Sequence, residues 1–252
     1  MYPSTEHLEA PLSANEAFDH FFSEGYVTDL VRPLKSGKEA EVILCRANPA
    51  TGAELLALKM YRPRDRRAFR NDHLYKAGRV ILNGHDRRAV AKKTRHGRAF
   101  DEAWWTFHEW EALQTLHEAG ADVPRPVAAS EGALLMEYVG DEASAAPQLR
   151  QVTLSPSEAK PVLDRLLWNV ELALRHNVVH ADLSAFNVLW WEGRPTIIDL
   201  PQAVDPRSNP NASELLSRDV ANICTYFERY GLRSRPEELA RGLWMGFLFA
   251  DL

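Results

Sequence analysis

The sequence predicts an α+β chain: a small antiparallel sheet with one helix comes first, followed by a mostly helical second part. Three observations carry this. From Val27 to Tyr61, short apolar runs alternate with turn residues. From Glu102 to Gly120, Trp105, Leu113 and Leu116 recur at helical spacing, with Glu109 in the same stripe. Beyond Ser155, three long helical patterns are separated only by short strand-like runs.

The elements follow in order. Phe18, Phe21 and Phe22 fall at i, i+3 and i+4 within residues 14–24, the mark of a short amphipathic helix that Gly25 stops. Strands are expected over Val27–Leu34, Glu41–Arg46 and Glu54–Tyr61, with turns at Ser36-Gly37 and across Asn48–Gly52. The stretch from Arg62 to Arg98 has no sustained period. Gly120 ends the following helix, and Pro124 and Pro126 prevent its continuation. Ala133–Val139 reads as a buried strand. Ser155-Pro156-Ser157-Glu158 opens a helix running to Asn177. Val178–His180, Val188–Trp191 and Thr196–Leu200 read as short strands, and helices over about 212–230 and 236–249 complete the chain.

Composition is that of an ordinary soluble chain: 252 residues, 45% hydrophobic and 26% charged. No apolar run is long enough to span a bilayer, and the first residues carry no secretory pattern, so no membrane role and a cytoplasmic location are expected. Cys45 and Cys224 lie far apart without metal-ligand spacing, which suits free thiols in a reducing compartment. The net charge of −5 is uneven: residues 62–98 hold 13 Lys and Arg against three Asp. Such a segment reads either as an arm for an acidic partner, RNA included, or as a loop kept open by its own charge.

The residues with the most chemistry are His180-Ala181-Asp182-Leu183-Ser184-Ala185-Phe186-Asn187. An Asp followed five residues later by an Asn suits phosphoryl transfer: the carboxylate orients or deprotonates a hydroxyl, and the amide oxygen ligates Mg²⁺. Asp199 ends the apolar run Ile197-Ile198, a costly place for a carboxylate unless a cation or donors satisfy it. Lys59 sits in the apolar run Ala57-Leu58-Lys59 and needs a partner; Glu109 is the candidate, with Glu111 as rival. Ser36-Gly37-Lys38 lies where a phosphate-covering loop would, although by itself it reads as a plain hairpin turn.

Taken together, Ser36-Gly37-Lys38-Glu39-Ala40, Ala57-Leu58-Lys59-Met60-Tyr61, Trp105-x3-Glu109-x3-Leu113, Met136-Glu137-Tyr138, His180–Asn187 and Ile197-Ile198-Asp199 resemble the RIO family of atypical kinases. The similarity runs in order from about residue 26 to about 230. Ala146-Pro147-x-Leu149 and Arg218-Asp219-x2-Asn222-Ile223 also look like family positions. The resemblance implies a bilobal protein-kinase-like fold: a lobe over 26–139 that includes a flexible basic loop (62–103), a lobe over 140–252, and a helical extension over 1–25. It implies Asp182 as catalytic acid/base, with Asn187 and Asp199 as ligands of Mg²⁺ (Mn²⁺ as substitute). Lys59, held by Glu109, would bind ATP phosphates under Ser36, Gly37 and Lys38. Met136, Glu137 and Val139 would run along the adenine, with Val42, Ala57 and Ile198 as apolar walls. It further implies that no activation segment is present, since only 19 residues separate Asp199 from Asp219. The 31 residues before Arg32 are too few for the winged-helix domain of one branch, which points to the first-type-like branch or a bacterial relative. Residues 62–98 match a loop that is often autophosphorylated in the family, yet hold no Ser and only Thr94.

Three functions compete: a Ser/Thr protein kinase, an ATPase switch on a ribonucleoprotein working through phosphorylated Asp199, and a small-molecule kinase of the aminoglycoside or choline type. The Ser-Gly-Lys-Glu loop and Leu183-Ser184 speak against the third.

Overall fold

The computed structural model describes residues 14–62 and 95–250, which fall into two compact units. The first holds the sheet, its N-terminal helix and the central helix as far as Glu111; the second holds 112–124 and everything from Val139 on. Most of the basic segment lies outside the described residues, as does Thr94.

In the first unit, α1 (Ala14–Ser23) precedes β1 (Val27–Ser36), β2 (Ala40–Ala47) and β3 (Leu55–Tyr61). β4 (Pro126–Ser130) and β5 (Ala133–Glu137) complete an antiparallel sheet in the order β1-β2-β3-β5-β4. Alternation along the strands divides their side chains between two faces. One face carries Ile43, Cys45, Leu56, Leu58 and Leu135, buried together with Ala17 and Phe21 of α1. The register pairs Val42 with Lys59, Leu44 with Ala57, and Ala57 with Met136, so these residues share the opposite face. Burial on one side and chemistry on the other make a one-residue slip intolerable. β4 was not expected, because Pro124 and Pro126 read as stop signals. It is an edge strand, and Pro126 at its first residue leaves no ladder bond unmade in the interior.

The central helix α2 (Arg95–Glu118) begins seven residues before the expected Glu102, so the loop expected over 62–103 gives way to helix from residue 95. Its first turns hold Arg, Ala and Glu and no Pro, and Gly97 alone is too weak to prevent winding. Left-handed Gly120 (φ 85°) ends it, with the Ala121 amide donating to the Leu116 carbonyl.

The second unit is mostly helical. In α3 (Pro156–Arg175) the Ser155 hydroxyl accepts from the Glu158 amide (3.3 Å) and the Glu158 carboxylate accepts from the Ser155 amide (2.8 Å), a reciprocal cap. Its inward stripe includes Val162, Leu163, Leu166, Val170 and Leu174. β6 (Val188–Trp191) and β7 (Arg194–Ile197) form a hairpin turned by Glu192 and Gly193, both at positive φ. α4 (Ala212–Phe227) and α5 (Pro236–Phe249) follow. Two expected strands shrink. Val178–His180 makes only a single bridge, Val179 to Val204, because Ala181 (φ 66°) turns the chain away. The run Thr196–Leu200 ends as a strand at Ile197, and Asp199 itself has φ 71°.

Candidate active site

Lys59 lies on the face of β3 opposite α1 and is 7% exposed. Its ammonium stands 2.7 Å from Oε1 of Glu109, which is 2% exposed; Glu111, the rival, lies on the exposed side of α2. Oε2 of Glu109 accepts a hydrogen bond from the Tyr61 hydroxyl. Tyr61 also places its ring 5.2 Å from Lys59 Nζ. A buried carboxylate is thus shared by an ammonium and a phenol, which keeps the lysine aimed. Tyr61 belongs to the Ala57–Tyr61 motif, but sequence reasoning gave it no task. Its signal was position, since residues two apart in a strand share a face.

At the β1–β2 turn the Gly37 amide donates to the Ala40 carbonyl (2.9 Å). The Ser36 hydroxyl accepts from Arg62 (2.6 Å), so a phosphate contact there would have to share it. Lys38 is exposed. Val42, Ala57 and Met136 lie on the Lys59 face, as the register requires. The Glu137 carboxylate is exposed and accepts from the Arg125 amide (3.0 Å). In the second unit, the Val139 carbonyl accepts from the Ala146 amide (3.0 Å), and Ile198 is half-buried.

The 180–187 loop is bound on several sides. His180 Nδ1 accepts from the Asp182 amide (3.3 Å), so Nε2 carries the proton it donates to the Ile198 carbonyl (3.1 Å). From α4, Asp219 accepts the amides of Ala181 (2.7 Å) and Leu183 (2.9 Å). Arg218 donates to the Ala181 carbonyl, and Asn222 to that of Leu183 (3.0 Å). Three side chains of α4 therefore hold the loop against its positive φ at Ala181. Reading residues one at a time assigned none of them a task, because hydrogen bonds to backbone leave no pattern in sequence.

Asn187 Nδ2 donates to the Asp182 carbonyl (2.9 Å) and to its Oδ2 (3.3 Å). The Asn187 carbonyl accepts from the Ile198 amide (2.9 Å), which ties the loop to the segment leading into Asp199. Burial raises the Asp182 pKa; His180 opposes this, the Asp199 charge adds to it, and Arg218 and Asn187 oppose it. The two carboxylates therefore feel one another.

A divalent cation fits this donor set. With its amide hydrogens turned to Asp182, Asn187 keeps an amide oxygen for a hard cation, and Asp199 supplies a carboxylate oxygen. Among the described residues no three His, Cys, Asp or Glu gather into a cage, so phosphate and water oxygens would have to complete the shell, the usual habit of Mg²⁺.

Residues 46–239 match the RIO domain family. A RIO-type serine/threonine-protein kinase Rio1 from Haloferax volcanii is 32% identical over 219 residues, covering 86% of this chain and 69% of that one. The Rio1 of Thermoplasma acidophilum is 31% identical over 135 residues, 54% of this chain and 69% of its own. Human RIO1 is 30% identical over 216 residues, 83% of this chain but only 35% of its own length. Among solved structures, the Chaetomium thermophilum Rio2 kinase in its ADP/Mg²⁺-phosphoaspartate complex superposes with a TM-score of 0.65 at 24% identity. It covers 89% of this chain, which spans 64% of the Rio2 chain. That likeness establishes a shared kinase fold. With the family match extending over more than half of its residues, this chain belongs to the RIO domain family of atypical kinases.

Proposed function

We propose that this chain is an ATP-dependent protein serine/threonine kinase. The observation that carries the reading is the Asp182–Asn187 contact in a loop tied to α4, with the Asp199 charge bearing on Asp182. Asp182 would accept the acceptor hydroxyl's proton as that oxygen bonds to the γ-phosphorus. The bond from the γ-phosphorus to its bridging oxygen then breaks, and ADP leaves with that oxygen. A carboxylate whose pKa lies above the ordinary range is a better base for this task. Lys59, steadied by Glu109 and Tyr61, would contact ATP phosphates; Asn187 and Asp199 would hold Mg²⁺, with Mn²⁺ as substitute. Held there, the metal would neutralise phosphate charge.

In this reading residues 26–139 and 140–252 act as the two lobes of a kinase, with 1–25 as an extension. Met136, Glu137 and Val139 meet the adenine, with Val42, Ala57 and Ile198 beside it. The basic stretch 62–98 would touch RNA phosphates in a ribonucleoprotein. A reducing, ATP-rich cytoplasm suits the chain, whose Cys45 and Cys224 are free and buried. Among the described residues no helix is long and apolar enough to cross a membrane.

A second reading is favoured by the phosphoaspartate of the Chaetomium thermophilum Rio2 complex. Asp199 would there take the γ-phosphate itself and water would release it, an ATPase cycle. One experiment separates the two: incubation with γ-labelled ATP, Mg²⁺ and a serine-containing acceptor protein. Acid-stable label on the acceptor supports the kinase, and acid-labile label on Asp199 with phosphate release supports the ATPase. Asp182→Asn is expected to lower acceptor labelling by about 100-fold or more. Full turnover in that variant would defeat the assignment.

A further inference from the structure

Phe186 occupies an unusual place: it stands immediately before Asn187, whose side chain touches Asp182, yet its ring is 54% exposed. The Arg150 guanidinium lies over that ring, 4.1 Å from its centroid. Arg150 is fixed at two further points: its amide donates to the Ala185 carbonyl (3.2 Å), and Nε donates to Oε1 of Gln148 (2.8 Å). The turn beneath is rigid as well. Leu149 is wholly buried and its carbonyl accepts from the Tyr226 hydroxyl (2.6 Å), while Gln151 closes back onto the Gln148 amide (2.9 Å).

An arginine anchored so thoroughly would ordinarily be an ion-pair partner, but among the described residues no carboxylate meets Arg150. The stack uses one face of the guanidinium and the Gln148 bond uses Nε, and Arg150 is exposed; its remaining donors form the planar fork that grips a carboxylate. An exposed aromatic within the 180–187 loop, one residue before Asn187, and the guanidinium stacked on it form a small recognition platform.

We propose that Arg150 and Phe186 form the acceptor-docking surface, taking a Glu or Asp that neighbours the phosphorylated Ser or Thr. This rests on the kinase reading given above. The acceptor hydroxyl must reach Asp182, so whatever Arg150 holds is joined to the acceptor by a few residues of chain. A protein acceptor supplies that anion as an acidic side chain. Phe186 contributes the flat apolar face on which the peptide's aliphatic stems lie, and it keeps the guanidinium oriented.

The test uses the full chain and three labelled probes at one ionic strength: a serine peptide flanked by glutamates, the same peptide flanked by lysines, and a single-stranded oligouridylate. Fluorescence anisotropy is expected to show the glutamate peptide binding on the order of tenfold more tightly than the lysine peptide. Arg150→Glu should reverse that order, Arg150→Gln should abolish it, and Phe186→Ala should weaken the glutamate peptide while Phe186→Tyr restores it. Equal affinities for the two peptides, or a preference untouched by Arg150→Glu, overturn the proposal. So does an Arg150-dependent affinity for the oligonucleotide with none for the acidic peptide. Labelling with γ-labelled ATP runs in parallel. If the parent binds the glutamate peptide through Arg150 but labels no peptide, the kinase reading fails while the docking surface stands.

Discussion

Asp182, half-buried, and Asp219, buried, are carboxylates bearing on one loop, yet their surroundings give them different work. Asp182 shares a single amide with Asn187 and is the group that could take a proton. Asp219 is 1% exposed and spends both oxygens on the Ala181 and Leu183 amides. Burial nonetheless pushes its pKa from 3.8 up to about 6, with His180, the two amides and Arg218 pulling the other way. The folded chain thus holds a proton on Asp219 that the unfolded chain has released between those values. Its contribution is fully present below pH 3.8 and is lost as pH rises through about 6. Unfolding free energies from urea titrations at pH 4 to 7 are expected to fall with pH relative to those of Asp219→Asn, by an amount on the order of 2–3 kcal/mol. A flat difference between the two would show that the ionised carboxylate costs nothing in this position. Asp182, Asn187, Asp199 and Lys59 could be picked out of the sequence because each is a polar residue in an apolar run or at a spacing chemistry demands. Asp219 stands in an ordinary amphipathic helix pattern, and only the fold brings it beneath Ala181.

Elements are held in register by a few side-chain ties of unequal worth. Asp122, just past α2, accepts Nε (2.6 Å) and Nη2 (2.9 Å) of Arg165 and Nδ2 of Asn169 (2.6 Å), while its own amide donates to Asn169 Oδ1 (2.8 Å). Its carbonyl accepts from the Ile197 amide (2.7 Å), two residues before Asp199. Asn169 is 2% exposed and Arg165 has 45% of its side chain in solvent. Asn169→Ala leaves buried groups unpaired and should cost about 1–3 kcal/mol in chemical denaturation, whereas Arg165→Ala should cost under about 1. The reverse order would mean that the guanidinium, stacked 3.9 Å from the Trp168 ring, is the true anchor. Between β3 and α2 the tie is Lys59–Glu109. Glu109→Ala takes the carboxylate away from a buried ammonium and the Tyr61 hydroxyl, an expected loss of about 3–5 kcal/mol. The double change Lys59→Met with Glu109→Leu should recover most of it, and a denaturation cycle over the four chains checks this. Sequence patterning found α3 and both partners of this ion pair, because capping residues and buried stripes are local signals. It missed β4, since an edge strand with a proline at its start looks like the end of a helix.

For the chain as a whole, each unit carries its own chemistry: the sheet-bearing unit holds the lysine paired with Glu109, and the helical unit holds the Asp182–Asn187 pair and Asp199. The basic stretch and its acidic surroundings could be counted in the sequence, but charge alone names no partner. If the functional reading holds, Mg-ATP binds the folded chain and not the unfolded one, so it must raise the melting temperature by mass action. At 100 times Kd the gain is about 2.7 kcal/mol. Lys59→Met removes the phosphate cation and Asp199→Asn weakens the hold on the metal, so each should shrink the ATP-induced shift. Asp182→Asn changes a group that meets the acceptor and should leave that shift near the parent value while transfer stops. Differential scanning with and without Mg-ATP, followed by chelation of the metal, reads all three. Loss of the shift in Asp182→Asn to the same degree as in Asp199→Asn would mean that Asp182 is a metal ligand, and that the proton must be taken by another group.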